Sequence, residues 1–251
     1  MTDILLVGAC GRMGAAVIGA AKGDYRIAAK VDAASNGDGV YRDIYEVKEE
    51  CGVIVDFSHH EYTKTVLSYA YEKGLPAVIA TTGHTDEELE IIRSFSEKIP
   101  VFKSGNMSLG VNALCRLAKE AAALLPDFDV EIIEAHHKTK LDAPSGTALM
   151  IANEIKEVRD AETVYDRSKR RQIRPKNEIG VSSIRGGTVT GEHEVIFLGK
   201  SERLSIRHSA ENRSLFAEGA LRAAAYMIGK EPGMYDMKTL LRDCVKEEIK
   251  L

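Results

Sequence analysis

DILLVGACGRMG, residues 3–14, runs an apolar segment into three glycines and then into an alanine-rich stretch. Residues 3–8 read as a buried parallel strand, and residues 13–22 as a helix. A glycine-punctuated turn from strand to helix is a cradle for phosphate. Gly14 lets the helix approach the strand, and Gly11 lets backbone come close to a pyrophosphate. The helix N-terminus supplies free N–H groups and the positive end of its dipole. The spacing departs from G-x-G-x-x-G: with Gly11 and Gly14 as the last two glycines, Ala9 stands at the first. The next strand, YRIAAKVD at 25–32, ends in Asp32. Asp32 is placed to accept hydrogen bonds from an adenosine ribose, and its charge repels a 2′-phosphate. Ala33 follows, so no arginine stands there to favour NADP, although Arg12 and Lys30 can supply one charge. The reading is a dinucleotide site that takes NADH or NADPH, with NADH favoured. The plain alternative is a tight turn beside a surface aspartate.

Outward from this stretch, strands and helices alternate. VIVDF at 53–57, AVIATT at 77–82 and residues 100–103 read as strands. Residues 61–73 read as a helix closed by Gly74 before Pro76. Residues 85–99 read as a second helix, with Thr85 as N-cap and Glu88 three residues on. D-F-S at 56–58 and T-T-G at 81–83 fall at strand carboxyl ends, where open parallel sheets bind ligands. The pattern then changes. Residues 109–125 and 147–158 read as helices around a strand at 130–136. Residues 180–209 read as an antiparallel meander with a tight connection at Gly199-Lys200-Ser201. A helix at 214–228 returns to cover the first sheet. The expected fold is α/β: a Rossmann-type parallel-sheet domain, plus a smaller α+β domain with a mixed or antiparallel open sheet. The first takes residues 1–106 and 214–251, for the dinucleotide. The second takes 107–213, for substrate and oligomerisation.

The 251 residues are 44% hydrophobic and 29% charged, with a formal net charge of −4. That balance gives no global basic field for nucleic acid. No apolar run approaches the roughly 18 residues of a membrane helix. The N-terminus carries Asp3 and no basic n-region, so it does not read as a signal peptide, and a cytoplasmic location is expected. Cys10, Cys51, Cys115 and Cys244 form no C-x-x-C pair, which argues against a disulfide framework or zinc site. RSKRRQIRPK at 167–176 reads as a solvated loop rather than a nucleic-acid patch, because no aromatic residues interleave its charges.

EAHHKTKLDAPSGTA, residues 134–148, carries the chemistry. Ser145 is a natural N-cap. The backbone N–H groups of Ser145, Gly146 and Thr147, with the Thr147 hydroxyl, can form a nest for a carboxylate. His136, His137 and Lys140 can supply cationic donors and a proton in the same pocket. A lysine beside other cations can have its pKa lowered towards that of a useful acid. Together these suit a small anionic substrate that gains a proton as well as a hydride. Two solvent-facing imidazoles at a strand end are the bland alternative. A metal site fits poorly, because adjacent histidines on a strand point to opposite faces.

With VGACGRMG at 7–14, DFS, TTG, GNMSLGVN at 105–112, IRGGTVTGEH at 184–193 and NRSLFAEGALRAA at 212–224, the chain resembles the dihydrodipicolinate reductase family over nearly its whole length. The resemblance implies a homotetrameric NAD(P)H-dependent oxidoreductase of the diaminopimelate and lysine pathway. Hydride would pass to C4 of a cyclic imine dicarboxylate, with water lost from the hydroxy form. It implies that His136 is the acid/base group and Lys140 the proton donor. His137, Gly146 and Thr147 would bind the substrate carboxylates. Gly8, Ala9, Cys10, Gly11, Arg12, Met13, Asp32, Ala80, Thr81, Thr82, Ser104, Gly105, Asn106 and Met107 would line the cofactor. Arg185 and Arg213 are further candidates for steadying substrate. Some positions depart from the family pattern: Ala80 replaces a common glycine, His59-His60 follows DFS where proline is frequent, and Lys103 adds a charge. Two other readings stay open, a dehydrogenase for aspartate or a related imino acid, and a non-catalytic dinucleotide sensor.

Overall fold

A computed structural model describes residues 1–35, 39–165 and 167–248. The last three residues of the first expected domain lie outside it. The chain divides into two compact units, residues 1–109 with those from Ser214 onward, and Gly110–Arg213.

The first unit is a six-stranded sheet in the order β11-β5-β4-β3-β1-β2, parallel throughout. Its strands are β1 (Thr2–Val7), β2 (Tyr25–Val31), β3 (Val53–Asp56), β4 (Ala77–Ile79), β5 (Pro100–Lys103) and β11 (Gly233–Tyr235). Helices α1 (Arg12–Ala20), α6 (Ser214–Met227) and α7 (Met237–Glu248) cover one face, while α2 (Thr63–Lys73) and α3 (Asp86–Ser96) cover the other. Alternation along each strand splits the apolar residues between two cores. Ile4, Leu6, Val55, Val78 and Phe102 join Val17, Ala220 and Met227. Leu5, Val7, Ile54, Ile79 and Val101 join Leu67, Ala70 and Ile92. Because both faces are buried, these strands read as unbroken apolar runs. Each fully buried Leu or Ile contributes about 1.5–3 kcal/mol. Thr85 and Glu88 make the expected capping box on α3, and Gly74 ends α2 in the left-handed region with φ 65°. The chain reverses its order of strand addition between β1 and β3, which opens a crevice at their carboxyl ends.

Strand β11 and helix α7 have no counterpart in the sequence reading. A three-residue strand shows no periodicity, and Pro232-Gly233 looks like a turn.

The second unit is a five-stranded mixed sheet in the order β10-β9-β6-β8-β7. It comprises β6 (Asp129–His136), β7 (Glu162–Val164), β8 (Glu178–Arg185), β9 (Gly191–Leu198) and β10 (Arg203–Ala210), with helices α4 (Leu109–Leu124) and α5 (Gly146–Lys156). The expected meander is only partly present. β9 and β10 form an antiparallel hairpin, but β6 lies between β8 and β9, parallel to one and antiparallel to the other. Alternating side chains mark a strand without naming its partner, and the sequence-neighbour pairing was the wrong one here. Val130, Ile132, Ile179, Val181, Val195 and Phe197 face α4 and α5.

The basic segment is more tied down than a solvated loop. Arg167 Nη1 lies 2.5 Å from Glu178. Arg174 pairs with Glu131 and donates to the Val130 and Glu178 carbonyls at 2.7 and 2.6 Å.

Candidate active site

In the first unit, Gly8 ends β1 with φ 79°, a conformation that other residues rarely adopt. A Cβ there would stand 2.6 Å from the Phe57 carbonyl at the end of β3. Gly14, in the first turns of α1, would place a Cβ 2.3 Å from the Gly8 oxygen. Gly8 therefore makes the turn, and Gly14 lets helix and strand touch. Gly11 is the N-cap of α1. Its side towards solvent is open, since a Cβ there would meet only the Gly8 oxygen, at 3.3 Å.

Two cavities flank this loop. One, of about 320 Å³, is lined by Gly8, Gly11, Asp32, Ala33, Ala34 and Tyr62 among others. The second, of about 460 Å³, is lined by Met13, Ala80, Thr81, Thr82, Gly105, Asn106, Met107 and Phe216. Both share Phe57, Ser58 and His59, so they join in a trough along the crevice. A trough beside a glycine turn and an open helix N-terminus fits a dinucleotide. Asp32 is already engaged: its carboxylate accepts from the Cys10 N–H at 2.9 Å and the Ala34 N–H at 3.0 Å. It thereby ties the glycine loop to the end of β2. Of the expected cofactor residues, Ala9, Cys10, Arg12 and Ser104 do not line either cavity. Ala9 is buried, Arg12 opens α1, and the Ser104 hydroxyl donates to the Asn106 carbonyl at 2.8 Å, shaping the 104–107 loop.

In the second unit, the core face of β6 changes character at its carboxyl end. Val130 and Ile132 give way to Glu134 and His136, two residues apart and so on the same face. Glu134 is fully buried. It accepts two hydrogen bonds from Arg185, at 2.7 and 2.9 Å, one from His136 Nδ1 at 2.5 Å, and one from the Ser145 N–H at 3.2 Å. Burial pushes its carboxyl up, but the hydrogen bonds from Arg185, Ser183 and His136 outweigh it and hold the group down at about 2. Glu134 is therefore ionised and can only accept, so His136 carries its proton on Nδ1 and leaves Nε2 for chemistry. Burial lowers the His136 pKa, and Glu134 opposes that shift.

Ser145 caps α5, its Oγ accepting from the Ala148 N–H at 3.2 Å. The same hydroxyl lies 3.1 Å from His193 Nε2. His193 is buried on β9, and that burial takes it down to about 4. Ser145 is thus fully engaged and 2% exposed. At the helix start that it caps, Gly146 is exposed and Thr147 half-buried. Lys140 Nζ lies 2.8 Å from Asp142 Oδ1. His137 Nδ1 lies 2.8 Å from the Thr139 hydroxyl. Arg213 is exposed in the turn before α6. Glu134 and His193 were not picked out from sequence. The i, i+2 spacing of Glu134 and His136 was the available signal for the first. For His193 there was none, because only the β6–β9 register sets it opposite Glu134.

A doubly wound parallel sheet with a glycine turn at its crevice, joined to a mixed-sheet unit bearing a histidine–carboxylate pair, defines a two-domain oxidoreductase of Rossmann type. Within that class the chain belongs to the dihydrodipicolinate reductase family: the family's N-terminal model matches residues 2–107 and its C-terminal model residues 110–241. It is 46% identical over 248 residues to the 4-hydroxy-tetrahydrodipicolinate reductase of Caldanaerobacter subterraneus subsp. tengcongensis, covering 96% of this chain and 99% of that protein. It is 45% identical to the enzyme of the same name from Clostridium tetani, with 96% and 97% covered. Among solved structures, the dipicolinate-bound dihydrodipicolinate reductase from Paenisporosarcina sp. TG-14 shares the fold, with a TM-score of 0.79 at 24% identity over 94% of this chain and 97% of that one. The DAP dehydrogenase of C. glutamicum in complex with DAP is more distant, with a TM-score of 0.57 at 15% identity over 98% of this chain and 99% of that one.

Proposed function

We propose that this protein reduces 4-hydroxy-tetrahydrodipicolinate to tetrahydrodipicolinate, in diaminopimelate and lysine biosynthesis. The observation that carries the reading is the Glu134–His136 pair at the end of β6, beside the start of α5 and in the sequence context of this family. The cofactor is NADH or NADPH, with NADH favoured because Asp32 ends β2 and Ala33 follows it. When bound, it would supply the hydride that goes to C4 of the ring, from which the hydroxyl is lost as water.

The chain's own residues do the rest. The glycine turn and the N-terminus of α1 take the pyrophosphate, and Asp32 takes the ribose. The Gly146 and Thr147 N–H groups at the positive end of α5, with His137, hold the substrate carboxylates. Lys140 donates the proton that accompanies reduction, and His136 serves through Nε2 as the acid/base group. Glu134 orients that imidazole, and Arg185 fixes Glu134 with a two-point contact. We place residues 1–106 and 214–251 as the dinucleotide domain and 107–213 as the substrate and assembly domain.

A homotetramer built on the sheet of the second unit fits its uncovered face, where Ile184 and Leu198 are 55% and 39% exposed. We also place the enzyme in the cytoplasm. Among the described residues, no helix is long and apolar enough to cross a membrane.

The test follows absorbance at 340 nm while the substrate is formed in the cuvette from pyruvate and aspartate semialdehyde by the preceding synthase. Synthase-dependent oxidation of NADH is expected. Protein that binds NADH but oxidises neither cofactor would return the imino-acid dehydrogenase and sensor readings.

A further inference from the structure

Beneath the larger cavity of the first unit lie two charged side chains without a role in the chemistry above. Asp56 ends β3 and is fully buried. It accepts from the Ser58 N–H at 2.9 Å, from the Ser58 hydroxyl at 2.5 Å and from the Thr81 hydroxyl at 3.1 Å. Lys103 ends β5 two strands away, and its Nζ donates to the Thr81 carbonyl at 2.9 Å. Thr81, after β4 and between them, therefore touches both charges. Ser58 and Thr81 line the cavity.

The bonding pattern suits the ionised form of each group. Three donors converge on Asp56, which favours its ionised form. Burial is the larger influence on both, raising the Asp56 carboxyl and lowering the Lys103 ammonium, while the donors on Asp56 and the opposite charge of each group on the other work against it. A buried charge left without its counterpart is costly, whereas a matched pair is close to neutral. Three parallel strands have thus brought an acid and a base, bridged by Thr81, beneath the Ser58 and Thr81 that line one cavity.

With Asp32 and the glycine turn in the smaller cavity taking the ribose and pyrophosphate, the larger cavity along the same trough falls to the nicotinamide end. Resting on that reading of the cofactor, we infer that Asp56 and Lys103 are positioning residues whose opposite charges set how strongly the site prefers the reduced to the oxidised dinucleotide. The two forms differ by one positive charge on the nicotinamide ring. An unbalanced Lys103 beneath that ring opposes the oxidised form, and an unbalanced Asp56 favours it. Damage to packing alone weakens both forms together.

The experiment titrates the full-length protein with NADH and with NAD⁺ by calorimetry and compares Kd(NAD⁺)/Kd(NADH) across variants. Asp56→Asn keeps the shape and the Thr81 contact but leaves Lys103 alone, and the ratio should rise about fivefold. Lys103→Met leaves Asp56 alone, and the ratio should fall by about the same factor. The double variant should return the ratio close to that of the parent. Should Asp56→Asn fail to fold, Lys103→Met and the double variant still carry the comparison. Ratios that stay at the parent value, or that move in the same direction in both single variants, overturn the inference. A parent protein that binds neither form overturns the cofactor reading itself, and this inference with it.

Discussion

His136 Nδ1 lies 2.5 Å from Glu134 Oε2, on the same face of β6 and two residues along the strand. The pairing fixes both the tautomer and the direction of the ring. Glu134→Gln removes the charge while keeping the shape. We expect kcat to fall by about 10- to 100-fold, since a carboxylate that orients an imidazole contributes on that scale or more. The His136 pKa is already lowered by burial, and Glu134 holds it up. Losing that charge lowers it further, so the limb of the kcat–pH profile set by His136 should move to lower pH. A limb that stays in place or moves up would remove Glu134 from this role.

The same residue shapes acid stability. The Glu134 carboxyl is held at about 2 in the folded chain against a usual value of 4.5. A depressed carboxyl contributes stability that is fully present above about pH 4.5 and is lost as pH falls through the folded value, near 2. Each unit of depression corresponds to about 1.4 kcal/mol. Urea unfolding of Glu134→Gln should therefore lose much of its pH dependence across that window, provided the variant folds.

Lys140 is paired with Asp142 on its own loop, its Nζ 2.8 Å from Oδ1. Lys140→Met should lower kcat by about 10²–10⁴-fold, the range of a lost general acid. Cofactor affinity, read by NADH fluorescence, should change by less than about twofold, because a proton needed only during reaction adds nothing to cofactor binding. An equal collapse of both quantities would contradict the assignment.

Ser145→Ala removes the N-cap of α5 and its contact with His193. Thermal or urea unfolding should show a loss of about 1 kcal/mol, as for other caps. The KM for substrate should rise more than kcat falls, because the helix start that would hold the carboxylates loses its anchor. An unchanged KM would separate the helix start from substrate binding.

Asp32→Ala should weaken NADH more than NADPH, since the carboxylate would bond a free ribose and repel a 2′-phosphate. The structure adds a second consequence. Asp32 also holds the Cys10 N–H, so both affinities should fall somewhat through the loosened glycine loop. The discriminating quantity is the ratio of the two Kd values, and an unchanged ratio removes Asp32 from the ribose contact.

Much of this architecture is legible in the sequence itself. The parallel sheet follows from apolar runs that end in glycine or polar turns and are separated by helices with readable caps at Thr85 and Gly74. These are local signals, set by backbone conformation and by hydrogen bonds within a few residues. The opening of α5 and the cluster from His136 to Thr147 were legible for the same reason, being contiguous in the chain.

What only the tertiary structure decided lies between distant segments. β6 inserts between β8 and β9, so the apparent meander is a mixed sheet, and that register alone sets His193 across from Glu134. Arg185 reaches Glu134 from 51 residues away. Asp56, Thr81 and Lys103 meet because β3, β4 and β5 end side by side. Local pattern records which face of an element is buried. Strand order and register, chosen by the packing of the whole core, determine which buried groups face one another, and so which charges are paired and which histidine is held by a carboxylate.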